Sequence, residues 1–484
     1  MDHISREMRE ISSDITPASP IMGLHSQCTC SSPTSSSAHN NSILPVIIQD
    51  TGRDLPKDAW LPITASRNGN SYYAAFHAIN SGIGFQALLL PVAFSILGWT
   101  LGIICLSLLF VWQFYTIWLM VQLHEAMPGT RYNRYLQISM AAFGEKLGKL
   151  LVLFPIMYLS GASCVMLIMF AADSMMLFVK TTDSQSLSTL ACQLIFVSLT
   201  VILSLFHPNL NSFAWISSVG ASTAVLYCTL IWVVSVNKIR QNDISYDPVL
   251  HESVTASAFS VFNAMGIVAL AFRGHNLILE IQATMPSNEK YPSRVPMSRG
   301  MNFAYLLISL CMFPLAFGGY WAYGNKIETY GDLLKAVQQT STSIYAIRLI
   351  TLLVVIHCLC AFQIYAMPTL DNWTFVYISK KKKPCPRLIG IVFRVLLGCL
   401  TFFIAVAVPF IRSLAGLIGG IVLPLTFAYP CFMWIAIKKP QRWGVMWCAN
   451  LVVGSLGMIV SVLVFAGGIW GLVNPGIDVR FFKP

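Results

Sequence analysis

The stretch Ala271-Phe272-Arg273-Gly274-His275-Asn276 sets a guanidinium, a glycine, an imidazole and a carboxamide in succession, and Glu280 follows shortly after. Apolar residues flank it on both sides, from Ser257 to Leu270 and from Leu277 to Ala283. A second cluster, Asn80-Ser81-Gly82-Ile83-Gly84-Phe85-Gln86, interrupts another apolar stretch. Charge and amide groups in such surroundings face lipid only at high cost, so they mark an interior site. Glycine beside Asn and Ser is a poor helix former that can expose backbone. In a membrane, irregular backbone survives only where protein or a water-filled cavity receives its N–H and C=O groups.

The chemistry follows from helix ends. The start of a half-helix offers unpaired N–H groups and partial positive charge, which suit a carboxylate. The end of a half-helix offers carbonyls, which suit an ammonium group or a cation. A zwitterionic amino acid matches both. The residues expected to line such a site are Asn80, Ser81, Gly82, Ile83, Gly84, Phe85, Phe272, Arg273 and Gly274. His275 and Glu280 have two readings: proton coupling, since imidazole titrates near neutrality and a membrane carboxylate can carry a proton, or a hydrogen-bonded pair that locks the half-helix. Arg273 also has two: it receives a substrate carboxylate and repels cationic side chains, or it forms an ion pair with Glu280.

These clusters need long apolar elements to hold them. Hydrophobic residues make up 56% of the chain and charged residues 11%, which requires lipid as part of the solvent. About eleven stretches are long enough to cross a ~30 Å hydrocarbon layer. They lie near 71–98, 100–123, 147–178, 187–206, 212–237, 257–283, 300–324, 342–370, 387–410, 412–437 and 444–473. The expected fold is an all-α integral membrane protein. The polar clusters interrupt spans one and six, which is the spacing of a five-plus-five inverted repeat whose broken helices meet at the midplane. The expected division is a disordered, Ser-rich N-terminal tail over 1–70, a transmembrane domain over 71–475 and a short tail over 476–484. No removable signal peptide is expected.

Lys and Arg near the span ends number about 18 on the side of the N-terminal tail and about 8 on the other. That asymmetry puts the N-terminus in the cytoplasm and, with an odd number of spans, the C-terminus outside. The net charge of +11 is then mainly an orientation bias and calls for no nucleic-acid partner. Most cysteines lie in apolar stretches as small hydrophobes. Cys28-Thr29-Cys30 lacks further ligands at metal spacing, so neither metal nor cofactor is expected. No HExxH or GxSxG occurs, and an enzyme is not expected.

Several motifs carry a family resemblance. They are Tyr115-Thr116-Ile117-Trp118 leading into His124-Glu125-Ala126-Met127-Pro128-Gly129, Arg131 to Tyr135, and Phe143-Gly144-Glu145-Lys146-Leu147-Gly148. To these are added Gly274-His275-Asn276 with Leu279-Glu280-Ile281-Gln282-Ala283-Thr284, and Gln363-Ile364-Tyr365-Ala366-Met367-Pro368. With these the sequence resembles the plant amino acid/auxin permease family, and within it the lysine/histidine-transporter-like subgroup, over nearly everything after Leu55. The resemblance implies eleven helices in a LeuT-like arrangement and proton-coupled amino acid import across the plasma membrane. It also keeps open carriage of auxin-like indole acids, or a sensor that binds an amino acid without moving it. The chain departs from the family pattern twice. Gln86 stands where the first break usually has a second glycine, and Arg273 where a small residue usually precedes Gly-His. The family's substrates are therefore not carried over, and neutral or acidic amino acids are expected ahead of lysine and arginine.

Overall fold

The computed structural model describes residues 67–127, 129–182, 187–206, 213–237, 244–248, 253–288, 290–340, 343–408 and 415–473. The tail expected over 1–70, apart from its last few residues, and the segment 476–484 lie outside the described residues, as do Cys28 and Cys30.

The described chain begins with α1 (Ser71–Gly82), α2 (Phe85–Leu123), a short α3 (Tyr135–Phe143), α4 (Glu145–Thr182), α5 (Thr189–Phe206) and α6 (Ala214–Val236). It continues with α7 (Val254–Ala271), α8 (His275–Ala283), α9 (Arg294–Tyr323), and two short helices, α10 (Ile327–Tyr330) and α11 (Leu333–Gln339). The last elements are α12 (Ile344–Lys381), α13 (Arg387–Ala407), α14 (Ala415–Leu423), α15 (Tyr429–Lys438) and α16 (Val445–Val473). Among the described residues, ten helices are long and apolar enough to cross a membrane. The first of these, α2, is two helices joined at Gly98, whose φ of 68° and ψ of −179° are not helical. That division accommodates the eleven expected spans, and Gly98 is where it falls because a positive φ there is open to glycine and not to most residues.

Local sequence explains the ends that matter. Asn70 caps α1, its side-chain oxygen accepting from the Tyr73 N–H at 3.0 Å. The helix then presents Ala74, Ala75 and Ala78 to its neighbours, all buried, and their small size lets α9 approach closely. It stops where Ile83 and Gly84 turn extended. Span six breaks between Ala271 and His275, with Gly274 at φ 129°. Two limits differ from expectation. Helix α12 continues past residue 370 to Lys381, and the span expected over 412–437 carries a π-turn at Pro424–Ala428, where proline withholds a backbone N–H from the regular ladder.

Helix α12 packs most extensively on α4 and also on α6, while α7 lies against α2, α14 and α16. The broken spans therefore sit inside the bundle. The tightest contact at the first break is at Gly220 of α6. A Cβ there would stand 2.3 Å from Asn80 Oδ1 and 2.6 Å from Cys360 Cβ. Gly220→Ala is expected to cost about 1–3 kcal/mol through overpacking, read as a lowered midpoint of thermal unfolding in detergent. An unchanged midpoint would show that α1, α6 and α12 can separate freely.

Candidate functional site

Arg273 leaves the broken sixth span and enters the middle of the bundle, where it is 4% exposed. Its Nη1 donates to Ser163 Oγ of α4 at 3.1 Å, and its Nη2 donates to Gln86 Oε1 of α2 at 3.1 Å. The guanidinium carbon lies 4.7 Å from the ring centroids of both Phe85 and Tyr365, so it is held between aromatic faces. Four transmembrane elements thus meet on one side chain. Glu280 is not among these partners, and among the described residues no carboxylate pairs with Arg273 within salt-bridge distance. The Arg273–Glu280 ion pair is replaced by a set of neutral contacts because Gly274 turns the chain between the two residues.

The first break is tied to the same cluster. Gln86 Nε2 donates to Gly82 O at 3.2 Å, and the Tyr365 hydroxyl donates to Ser81 O at 2.5 Å. The Ser81 hydroxyl turns back to His77 O at 2.8 Å, and the Ile83 N–H goes to Ile79 O at 2.9 Å. The carbonyl end of α1 therefore already holds two donors from the protein. Asn80 sits against Gly220 with both its amide atoms buried and without partners. Phe272 packs on Phe110, centroids 5.8 Å apart, and leaves the two rings on Arg273 to α2 and α12.

His275 and Glu280 are not joined to each other. His275 Nε2 meets Thr116 Oγ1 at 2.9 Å. The Thr116 hydroxyl also lies within hydrogen-bond distance of Gln113 O at 2.9 Å, and His275 Nδ1 is buried with no partner. Further along α8, Glu280 is 5% exposed and its Oε2 is buried without a partner. It lies within electrostatic reach of Asp371 and Arg134, which form a salt bridge at 2.6 Å. The Arg134 guanidinium also stacks over Phe375 at 4.7 Å.

Of the remaining polar candidates, His77 meets Ser217 Oγ at 2.7 Å and His357 meets Gly220 O at 3.1 Å, both inside helix packing. Glu125 accepts from Ser293 at 2.7 Å and lies 3.4 Å from Arg131, and Arg131 in turn caps Met285 O at 3.0 Å. Arg348 donates to Thr181 O. Asp173 borders a cavity of about 370 Å³ with Lys180, Asp332 and Lys335. Phe170 also lines that cavity, and its ring lies 6.2 Å from Phe85.

A family model described as transmembrane amino acid transporter protein matches residues 67–474. Lysine histidine transporter-like 8 of Arabidopsis thaliana is 50% identical over 436 residues, 89% of this chain and 84% of that protein. Lysine histidine transporter-like 7 of the same organism is 46% identical over 442 residues, 90% and 91% of the two chains. Among solved structures, a Na+-coupled sialic acid symporter in a substrate-bound outward-open state covers 85% of this chain and 91% of its own. Its TM-score is 0.55 at 11% identity, a likeness of fold.

Proposed function

This chain belongs to the transmembrane amino acid transporter family, and from that premise we propose that it imports amino acids across the plasma membrane by proton symport, with neutral or acidic substrates favoured and its N-terminus in the cytoplasm. It is a multi-pass membrane transporter of amino acids and not an enzyme. One observation carries the finer reading: the two broken spans meet at a single buried cluster in which Arg273 reaches Gln86. Two interrupted helices meeting inside the bundle are the arrangement in which transporters of this kind hold a substrate and its driving ion. A fixed guanidinium there favours carboxylates and opposes a second cationic group.

The proton has two candidate acceptors on α8. His275 has a buried, unpartnered Nδ1, and Glu280 a buried, unpartnered Oε2 beside the Arg134–Asp371 pair. Uptake of a labelled amino acid panel is expected to rise as external pH falls and to be indifferent to external sodium. Dependence on sodium with no response to pH would sink proton symport. Replacing the residue that carries the proton is expected to flatten the pH profile, so the profile of His275→Gln against Glu280→Gln assigns it. Profiles that keep the wild-type shape in both variants would remove both candidates.

A further inference from the structure

The charge balance around Arg273 narrows the substrate class beyond the amino acid transport reading, on which it rests. Arginine keeps its charge in proteins and carries five N–H donors. Here the guanidinium is buried, donates to two neutral acceptors, and has its Nε buried with no partner. Its faces are covered by Phe85 and Tyr365. A buried cation surrounded by neutral groups lacks the counter-charge that makes such burial tolerable. Among the described residues no acidic side chain lies in this cluster, and Glu280 is placed with Asp371 and Arg134. Among these residues nothing supplies the counter-charge.

The space and the dipoles for it are present. Gly274, at φ 129°, has nothing within 4 Å of the point where a Cβ would stand, so the residue next to Arg273 in the chain borders open space. The first turn of α8 begins there, and its N–H groups and partial positive charge add to the attraction for an anion. The ammonium side is different. The carbonyls that a broken first helix would offer to an ammonium group, Ser81 O and Gly82 O, each already accept one hydrogen bond, from the Tyr365 hydroxyl and the Gln86 amide, and keep one further lone pair. A zwitterion would neutralise Arg273 with its carboxylate and bring in an ammonium group with no counter-ion.

We propose that the transported species carries one net negative charge, delivered as a carboxylate to Arg273 between Phe85 and Tyr365. That chemistry has two sources: an amino acid with a second carboxylate, or a carboxylic acid with no ammonium group. A carboxylate binds a guanidinium through paired N–H···O bonds; the unpartnered Nε supplies one, and each Nη carries a second N–H beyond the one given to Ser163 or Gln86.

The test uses the full chain in proteoliposomes with labelled glutamate, glutamine, indole acetate, tryptophan and lysine. Glutamate over glutamine, or indole acetate over tryptophan, is the expected preference, and which pair shows it identifies the source. Arg273→Gln is expected to erase that preference by at least about thirtyfold, the scale of removing one partner of a buried hydrogen-bonded charge pair. Arg273→Lys keeps the charge but not the fork, and is expected to retain the rank order at lower affinity. Should Arg273→Gln fail to fold, thermal stabilisation of the wild-type protein by glutamate against glutamine, and by indole acetate against tryptophan, decides the same question. Preferred uptake of glutamine, tryptophan or lysine, with the order unchanged in Arg273→Gln, would overturn the charge requirement and leave amino acid transport standing. Absence of uptake and of stabilisation by every compound would overturn the transport reading and this inference with it.

Discussion

Asp371→Ala is expected to lower stability by about 3–5 kcal/mol, because it removes the carboxylate from a buried ion pair. Arg134 Nε and Asp371 Oδ2 are 2.6 Å apart, with side-chain exposures of 10% and 1%. The guanidinium left behind would face Phe375 and Glu280. Glu280 offers partial compensation, which places the expected loss toward the lower end of that range. The pair fastens α3, the short helix before α4, to the far part of α12, beside the second half of the broken sixth span. Uptake is expected to disappear in Asp371→Ala.

A double replacement separates fold from transport. Arg134→Met with Asp371→Leu removes both charges together, and well-packed apolar substitutes for a buried pair often restore stability. If the double variant regains thermal stability but not uptake, the pair acts in the transport cycle. Regained uptake alongside stability would confine it to architecture. A single Asp371→Ala variant as stable as the wild type would refute the buried-pair account altogether.

Both broken spans are readable from the sequence, because glycine, amide and charge inside long apolar runs are too costly to place anywhere but at an interior break. The contacts of Arg273 are not. Glu280 looks like its partner because the two share one segment, yet the structure supplies Gln86, Phe85, Ser163 and Tyr365 from three other spans. Nothing in local pattern ties residue 273 to residues 163 or 365. One clue is local: Gln86 and Arg273 are the two positions at which the resemblance leads one to expect other residues, and they touch at 3.1 Å. The hydrogen-bonding group at the first break accepts from that cation.

Arg134 and Asp371 are hidden for a different reason. Counting positive charges near span ends treats Arg134 as a marker of orientation exposed to water. Ending the eighth span near residue 370 puts Asp371 at the membrane surface, whereas α12 continues to Lys381 and carries Asp371 inward. Thr116, the partner of His275 at 2.9 Å, lies within a motif that carries the family resemblance, but its role depends on two spans crossing. Periodicity and composition locate helices. Which side chains meet between them depends on crossing geometry that a single sequence does not display.

Gly274→Ala is expected to abolish transport while leaving the protein folded, and here crowding and backbone strain come apart. A methyl group at this position meets no protein atom within 4 Å, so a clash within the protein does not account for a loss. The backbone can. At φ 129° and ψ −6° an L-residue is strained by about 1–3 kcal/mol. Alanine also gains about 1 kcal/mol over glycine wherever the chain is helical. Together these bias the segment by roughly 2–4 kcal/mol toward a continuous helix running from α7 into α8, equivalent to a ~30- to 10³-fold change in population. Joining the helices would pair the free N–H groups at the start of α8 and redirect Arg273 away from Phe85 and Tyr365. Uptake in proteoliposomes is the first measurement and far-UV circular dichroism the second, with helix content expected to hold or rise slightly. Near-normal uptake in Gly274→Ala would mean that the break is dispensable and that the site lies elsewhere. Lost uptake with lost helix content would point to misfolding, in which case the weaker bias of Gly274→Ser, with poorer helix propensity than alanine, is expected to recover folded protein before it recovers transport.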